Sequence, residues 1–452
     1  MSTVTCPVVL ISAPASGQGK TTVACALARL HARQGRRVRV FKCGPDFLDP
    51  YWLTLASGAP VHQIDLWMNG EADCAQRLHD AALDADLIIV EGVMGLFDGP
   101  PSAADLAQRF GLPVVAVIDA SAMAGTFGAL AYGLQHYRDS LFFAGVLANR
   151  VASPGHAVML EDSLREPAQW LGALMRSDTF ALPERHLGLV MDHELADALQ
   201  RVDAAADALT TTRLGQMTAD DLQSWAVTLE TNADAENELL EFPFGLLLGQ
   251  TIAVARDAAF CFLYAANLDC LQAMGARMAY FSPMADEKLP LCDALWLPGG
   301  YPELHAQKIA ANTAMKSSIA AHVQSGKPVW AECGGMMALF GEITDVDGKR
   351  EPMWGILPGG VTMQRHLAAL GPQQLEVAGG ILRGHTFHYS TCDTPLQSFT
   401  RTQAAPGQVL RGNGESLYVT GPTGSVRASY FHAWFPSNPP AAARLFLKGS
   451  HA

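Results

Sequence analysis

The segment VVLISAPASGQGKTT, residues 8–22, contains the strongest indication of fold in the first half of the chain. An apolar, β-branched run at 8–12 leads into a glycine-rich turn, and a helical pattern follows over 23–34. The turn fits the phosphate-loop pattern GxxxxGK[ST] except at its first position, where Pro14 replaces glycine. Backbone N–H groups and a helix N-terminus in this order bind phosphate. The segment predicts a nucleotide site, and a glycine-rich turn with a chance Lys-Thr pair is the alternative.

Within this loop we expect Lys20 to contact the β and γ phosphate oxygens and Thr21 to hold Mg²⁺. Asn149, near the end of a later predicted strand, is a candidate for an adenine contact, with a strand-end turn residue as the alternative. The residues predicted to bind ATP are Ser16, Gly17, Gln18, Gly19, Lys20, Thr21, Thr22 and Asn149.

The first half alternates short apolar runs with segments rich in Ala and Leu. The runs lie at 8–12, 38–42, 87–90, 114–118 and 142–147. Alternation of this kind predicts a doubly wound parallel sheet with helices on both faces.

Acidic side chains follow two of these predicted strands. Asp46 and Asp49 come after the strand at 38–42, and Glu91 and Asp98 come after the strand at 87–90. Ligands of open α/β sheets bind at the carboxyl ends of the strands. We therefore expect these acids either to bind Mg²⁺, as Asp46 and Glu91 would together with Thr21, or to position a reacting carboxylate. Solvated strand-end caps are the alternative.

The second half begins after a polar stretch at about 192–241, which we interpret as a linker. Alternating patterns then return at 251–255, 294–297 and 328–331. The sequence predicts an N-terminal domain over 1–240 and a second α/β domain over 241–452.

A candidate nucleophile lies in this second half. In VWAECGGM, residues 329–336, an apolar strand runs into a cysteine flanked by glycine. Such an elbow exposes Cys333 at a helix N-terminus, which is expected to lower the thiol pKa. Gly299 and Gly300 are candidate oxyanion donors, and His432 is a candidate base. An inert core cysteine is the alternative.

Two more histidines, His385 and His388, are expected to share one face of a strand. Because no acidic or cysteine partner is suitably spaced, we favour structural hydrogen bonding or substrate contact over metal binding.

Composition narrows the classes of function. The charge of 31 − 44 = −13 disfavours general binding to nucleic acid or to anionic membranes. Apolar runs are shorter than the roughly 20 residues that cross a bilayer. The nine cysteines are odd in number and show no CxxC pair, which is typical of a reduced cytoplasm without disulfide or zinc frameworks. We expect a soluble, cytoplasmic protein, and the sequence leaves a homodimer open.

Taken together, these segments resemble the cobyrinic and hydrogenobyrinic acid a,c-diamide synthase family over nearly the whole chain. The segments that carry the likeness are KCGPDFLDP at 42–50, EGVMGLFDG at 91–99, LPGGYPEL at 297–304 and AECGG at 331–335. The resemblance implies an N-terminal ATP domain of the dethiobiotin-synthetase type and a C-terminal class I glutamine amidotransferase domain.

The resemblance also implies the roles of single residues. Cys333 would be the nucleophile and His432 the residue that activates it. Lys20 and Thr21 would contact the nucleotide and Mg²⁺. The acidic centre of the synthetase site, where the substrate reacts, would consist of Asp46, Asp49, Glu91 and Asp98. Ordinary class I amidotransferases carry a glutamate two residues after this histidine, whereas here Ala433 and Trp434 follow. The family as a group lacks that glutamate, so we expect a Cys-His dyad; an inactive pseudo-amidotransferase is the alternative.

The implied chemistry links two reactions. Glutamine would yield ammonia through a Cys333 thioester, and ATP with Mg²⁺ would convert a corrinoid carboxylate into an acyl phosphate that ammonia displaces. Because ammonia is mostly protonated at neutral pH, we expect a shielded path between the domains. The substrate would be a corrinoid polycarboxylate of the vitamin B12 pathway, amidated at positions a and c.

Three rival functions remain at the level of sequence. Cobyric acid synthase and nickel-sirohydrochlorin a,c-diamide synthase share the chemistry, although the chain length and the GPDFLDP segment favour the a,c enzyme over the first. A partitioning-type ATPase switch would belong to another class, but its signature lysine is replaced here by Ala15.

Overall fold

The computed structural model describes residues 2–185, 188–189, 196–231, 245–408 and 412–449. The chain divides into two units, formed by residues 1–239 and 240–452.

Strands and helices alternate through most of the first unit. Its strands are β1 Ser2–Ser12, β2 Val38–Cys43, β3 His62–Ile64, β4 Leu87–Glu91, β5 Val114–Asp119, β6 Phe143–Val151, β7 Trp170–Met175, β8 Glu184–Arg185, β9 Gly188–Leu189 and β10 Ala226–Thr231. Its helices are α1 Lys20–Arg33, α2 Asp49–Ser57, α3 Glu71–Ala82, α4 Ala103–Phe110, α5 Thr126–His136, α6 Pro154–Asp162, α7 Ala198–Leu209 and α8 Ala219–Leu222.

The central sheet of this unit has the order β3-β2-β4-β1-β5-β6-β7, and the neighbours along this path are parallel. Successive residues of β1 enter two different apolar cores: Val8 and Leu10 contribute to one, and Val9 and Ile11 to the other. Helices therefore cover both faces of the sheet, which explains why its central strands are apolar throughout. The predicted doubly wound fold is confirmed.

The linker predicted at 192–241 is wrong for residues 196–231. Helix α7 buries Val202, Ala206 and Leu209 in the core beside α1, and Arg29 on α1 pairs with Asp203 at 2.7 Å. Strand β10 extends the sheet by pairing antiparallel with the first half of β1. The polar composition reflects the solvent faces of these elements; the rest of the predicted linker, 192–195 and 232–241, lies outside the described residues.

The second unit contains a further parallel sheet. Its strands are β11 Thr251–Ala255, β12 Arg277–Phe281, β13 Ala294–Leu297, β14 Val329–Glu332, β15 Glu342–Thr344, β16 Arg350–Pro352, β17 Gly360–Met363, β18 Ala369–Val377, β19 Gly380–His388, β20 Ser390–Asp393, β21 Thr400–Arg401, β22 Gln403–Ala404, β23 Ser416–Thr420, β24 Val426–Ser429 and β25 His432–Trp434. Its helices are α9 Ala265–Ala273, α10 Ala306–Ala311, α11 Thr313–Gln324, α12 Gly334–Leu339 and α13 Pro439–Leu445.

The main sheet has the order β12-β11-β13-β14-β24-β23-β21, parallel from β12 to β24. A separate sheet, β22-β18-β19-β25, carries the last strand. The predicted strands at 251–255 and 294–297 coincide with β11 and β13, and the predicted α/β class is confirmed for this unit as well. Among the described residues, no helix combines the length and apolar character needed to span a bilayer.

Candidate active sites

The phosphate loop joins β1 to α1 in the first unit. Gly19 has a φ of 93°, a region that favours glycine, and a Cβ there would lie 2.1 Å from Asn149 Nδ2. The ammonium of the buried Lys20 donates hydrogen bonds to Met94 O at 2.6 Å and to Ala15 O at 3.3 Å. Lys20 is thus held between its own loop and the loop after β4.

A main-chain N–H of β5 and a side chain of β6 hold this loop in place. Asn149 Nδ2 donates to Gln18 O at 2.9 Å, and Gln18 Oε1 accepts from Asp119 N at 2.9 Å. The interpretation of Asn149 as a turn residue is wrong, because β6 continues past it to Val151. Of the other predicted loop residues, Ser16 and Gly17 are exposed and Thr22 is half-buried.

The carboxyl ends of β2 and β4 bring predicted acidic residues together around a lysine. Lys42 Nζ lies 2.7 Å from Asp49 Oδ2 and 3.3 Å from Glu91 Oε1. Asp46 Oδ2 is farther away, at 3.8 Å. Thr21 Oγ1 donates to the same Glu91 oxygen at 2.6 Å. Sequence reasoning gave Lys42 no role of its own, although a lysine that ends an apolar strand beside an acidic segment is a usable signal.

The fourth predicted acid, Asp98, has a different contact. Its Oδ2 accepts a hydrogen bond from Gly95 N at 2.8 Å within the loop after β4. Asp98 therefore shapes the loop whose Met94 carbonyl binds Lys20.

Burial and mutual contact shift the pKa values in this cluster in different directions. Burial raises the pKa of Glu91 to about 7 and that of Asp46 to about 6, with Asp49 adding to both increases. Burial alone would lower the pKa of Lys42, but the facing carboxylates outweigh it and raise that pKa. Burial and the neighbouring Lys42 lower the pKa of Lys20.

The same cluster suits a divalent cation. Glu91 Oε2 is buried and has no hydrogen-bond partner among the described residues, although its other oxygen contacts Thr21. A hard cation such as Mg²⁺ prefers carboxylate and hydroxyl oxygens. Glu91 and Thr21 therefore fit the ligand types of the predicted site.

In the second unit, Cys333 lies on a sharp turn between β14 and α12. Its φ of 44° and ψ of −108° are unusual for a residue with a Cβ. Its N–H donates to Ser429 O at 2.8 Å, which fixes the turn against the end of β24. Strained strand-to-helix turns of this kind present nucleophiles, so this backbone matches the elbow predicted from the sequence.

The glycine pair and His432 lie at the same edge of the sheet. A Cβ on Gly334 would be 2.8 Å from Gly300 N, and a Cβ on Gly299 would be 2.5 Å from His432 Cε1. The residue after Cys333 thus packs on one glycine of the predicted oxyanion pair, and the imidazole packs on the other. The structure brings together the elbow, the glycine pair and the histidine.

Aromatic neighbours surround the His432 ring. The ring of His385 stacks on it with centroids 4.9 Å apart and planes 15° apart. His385 Nδ1 lies 3.2 Å from Tyr264 OH, and Phe262 is a further neighbour of His432, at 6.1 Å. Packing therefore limits the orientation of the imidazole.

The expectation that the elbow lowers the thiol pKa is wrong for this structure. Cys333 is only 4% exposed, and burial, together with Glu303, raises the pKa of its thiol. Burial and the neighbouring His385 lower the pKa of His432. The N-terminus of α12, a helix of six residues, does not lower the pKa of the Cys333 thiol enough to offset the effect of burial. Thiol and imidazole are therefore both neutral near pH 7.

The expectation that His385 and His388 share a strand face is also wrong, since residues three apart in a strand point to opposite faces. His388 Nε2 lies 3.1 Å from Glu415 Oε1, and the Thr386 hydroxyl donates to that same oxygen at 3.0 Å. Sequence reasoning missed Glu415, whose partners lie far away along the chain.

Comparisons with known proteins connect these two sites. Residues 9–190 match the CobQ/CobB/MinD/ParA nucleotide binding domain, and residues 251–440 match the CobB/CobQ-like glutamine amidotransferase domain. A hydrogenobyrinate a,c-diamide synthase from Pseudomonas aeruginosa is 54% identical over 452 residues, 100% of both chains. The chain belongs to the a,c-diamide synthase family.

Other members of the a,c-diamide synthase family match almost as fully. A hydrogenobyrinate a,c-diamide synthase from Stutzerimonas stutzeri is 54% identical over 98% of this chain and 99% of its own. A cobyrinate a,c-diamide synthase from Herminiimonas arsenicoxydans is 48% identical over 97% of this chain and 96% of its own. The resemblance drawn from the sequence is confirmed, as is the prediction of an enzyme with a nucleotide-binding and a glutamine amidotransferase domain.

Proposed function

We propose that the chain is a carbon–nitrogen ligase that uses ATP and glutamine to amidate the a and c carboxylates of hydrogenobyrinate or cobyrinate. The observation that carries the proposal is the end-to-end match, at 54% identity, to a relative of that name. The phosphate loop in one unit and the cysteine elbow in the other provide the residues that the two half-reactions need.

In the glutaminase half-reaction, Cys333 Sγ attacks the side-chain amide carbon of glutamine. His432 accepts the thiol proton and donates it to the departing nitrogen, which leaves as ammonia. Water then hydrolyses the thioester to glutamate and restores the thiol. The N–H groups of the predicted pair, Gly299 and Gly300, and that of Gly334 directly after Cys333 are suited to stabilise the oxyanion formed in both steps.

In the synthetase half-reaction, a substrate carboxylate oxygen attacks the γ-phosphorus of ATP, and ADP leaves. Ammonia then attacks the acyl phosphate, and phosphate departs with the amide formed. Lys20 and Lys42 provide positive charge near the phosphates during the first step. Thr21, Glu91 and Asp46 would hold Mg²⁺, which when bound neutralises charge on the phosphate oxygens.

The proposal includes the compartment. ATP and glutamine are cytoplasmic metabolites, and all nine cysteines are free thiols, with Cys392 half-buried and the others buried. We accordingly place the reaction in the cytoplasm. Gel filtration with light scattering tests whether the enzyme is a homodimer.

The deciding experiment incubates the purified protein with ATP, Mg²⁺ and glutamine, and with hydrogenobyrinate and cobyrinate in separate reactions. Mass spectrometry should detect two successive replacements of hydroxyl by amino groups, and fragmentation should locate them at c and a. Amidation at other side chains would instead indicate the cobyric acid synthase reaction. Absence of amide from both corrinoids, with turnover of nickel sirohydrochlorin, would contradict the proposed substrate.

A further inference from the structure

Glu332 is a buried carboxyl group immediately before the candidate nucleophile. It is the last residue of β14 and is 2% exposed. Its Oε1 accepts a hydrogen bond from Trp330 Nε1 at 2.7 Å and one from Ala433 N at 3.2 Å. No cation pairs with it within the described part of the chain. A buried acid without a countercharge is costly, so its presence calls for an explanation.

The bond to Ala433 connects the two parts of the thiol site. Ala433 directly follows His432 on β25, and β25 pairs with β19 in a sheet separate from the one that contains β14. Glu332 directly precedes Cys333. One side chain therefore joins the strand that carries the imidazole to the strand that carries the thiol.

A second buried side chain holds Ala433 from another direction. Asn267 Nδ2 donates to Ala433 O at 2.8 Å, and Asn267 Oδ1 accepts from Phe435 N at 2.8 Å. Asn267 lies on α9 and anchors β25 to that helix. Of these two contacts, only the one with Glu332 reaches the elbow.

We propose that Glu332 is a positioning residue that sets the separation between the Cys333 thiol and the His432 imidazole. In a triad, a carboxylate holds the imidazole ring. Here Ala433 and Trp434 follow the histidine, and Glu332 holds the main chain beside it. The inference rests on the proposed Cys333–His432 pair.

Two substitutions at Glu332 distinguish loss of the hydrogen bond to Ala433 N from a general effect on folding. Glu332→Gln keeps an oxygen acceptor and the side-chain shape, whereas Glu332→Leu keeps the volume and removes the acceptor. We expect Glu332→Leu to lower kcat for glutamine hydrolysis at least roughly thirtyfold with KM within about threefold, since misplacement affects the chemical step more than binding. Glu332→Gln should stay within about threefold of wild type.

Two further readouts exclude a merely structural effect. Iodoacetamide labelling of Cys333, followed by peptide mass spectrometry, should slow in Glu332→Leu and not in Glu332→Gln, because the imidazole no longer assists the thiol. Amide synthesis from ammonium salts should be unchanged in both. Trp330→Phe is the matched control: it removes the other donor to Oε1, leaves the Ala433 bond, and should keep glutaminase activity.

Wild-type kcat in Glu332→Leu would overturn the proposal, and so would an equal loss in Glu332→Gln. If near-ultraviolet circular dichroism shows that the Leu variant is unfolded, Glu332→Asp replaces it, because the shorter acid withdraws the oxygen from Ala433. An unfolded Asp variant would assign Glu332 to fold stability and also overturn the proposal. Full glutamine-dependent activity in Cys333→Ser would instead contradict the proposed pair itself.

Discussion

Lys42 Nζ lies 2.7 Å from Asp49 Oδ2, and a buried ammonium thereby occupies the centre of the carboxylate cluster in the first unit. Lys20 is held nearby by the carbonyl of Met94. Two lysines from different elements therefore lie at the carboxyl edge of the sheet: Lys20 is bonded to the carbonyls of Ala15 and Met94, and Lys42 contacts the acids.

Removing Lys42 should affect both stability and synthesis. We expect Lys42→Met to abolish amide formation and to destabilise the first unit by about 3–5 kcal/mol, because buried carboxylates lose their countercharge. Denaturant unfolding and an ammonium-driven amidation assay measure the two effects. Arg39→Met, which removes a surface pair with Asp84, is the control and should cost no more than about 1 kcal/mol. Wild-type stability and rate in Lys42→Met would contradict this role.

Loss of Lys20 should separate the two half-reactions. We expect Lys20→Ala to abolish amide formation and leave basal glutaminase activity, since the phosphate loop and the thiol belong to different units. Amide product and glutamate are measured in parallel on the same preparation. If both activities disappear while circular dichroism is unchanged, the two sites are not independent.

Glu91 tests the cation site. Glu91→Gln should reduce synthesis at least roughly a hundredfold, because a charge contact made mainly in the transition state is lost. Since the pKa of Glu91 is raised to about 7 and a cation binds its ionised form, the Mg²⁺ concentration needed for half-maximal synthesis should fall as pH rises from 6 to 8. Near-normal turnover of the variant at low Mg²⁺ would rule out this assignment.

Glu332 should make the second unit less stable at higher pH. Burial raises its pKa from 4.5 to about 8, so between these values the folded state binds more protons than the unfolded state, and stability falls as pH increases. Glu332→Gln cannot ionise and should therefore show a shallower decrease in Tm between pH 5 and pH 8. Calorimetry of the wild type and of Glu332→Gln at each pH measures the decrease in Tm. Equal decreases in the two proteins would contradict the raised pKa of Glu332.

Local patterns predicted much of the fold. The apolar run and glycine-rich turn at 8–22 place β1, the phosphate loop and α1, because strand, turn and helix signals there are contiguous. Strand β10 was taken for linker because its partner, β1, lies at the other end of the unit. Helix α7 was missed because its buried face is mostly alanine, with Val202 and Leu209 as the larger apolar residues, and gives a weak helical pattern next to the Asp and Thr residues around it.

Some residues of the candidate sites could be predicted from local motifs, whereas others depend on contacts between distant parts of the chain. Cys333 and Gly299 lie in short motifs that are visible in the sequence. Glycine is needed at position 299 because a Cβ there would meet the His432 ring. The contacts of Lys42, Glu332 and Glu415 depend on which strands become neighbours, and spacing along the chain does not reveal this. The raised pKa of Cys333 likewise follows from burial, which the elbow motif alone does not determine.

Amide formation by Cys333→Ser with each nitrogen source in turn tests most sharply whether Cys333 releases ammonia from glutamine. We expect no synthesis from glutamine and preserved synthesis from ammonium salts at raised pH, because free ammonia reaches the acyl phosphate without the thiol. His432→Ala should show the same split less completely, since the thiol remains in place. If Cys333→Ser retained full glutamine-dependent synthesis, Cys333 would not be the nucleophile and the proposed glutaminase half-reaction would be wrong.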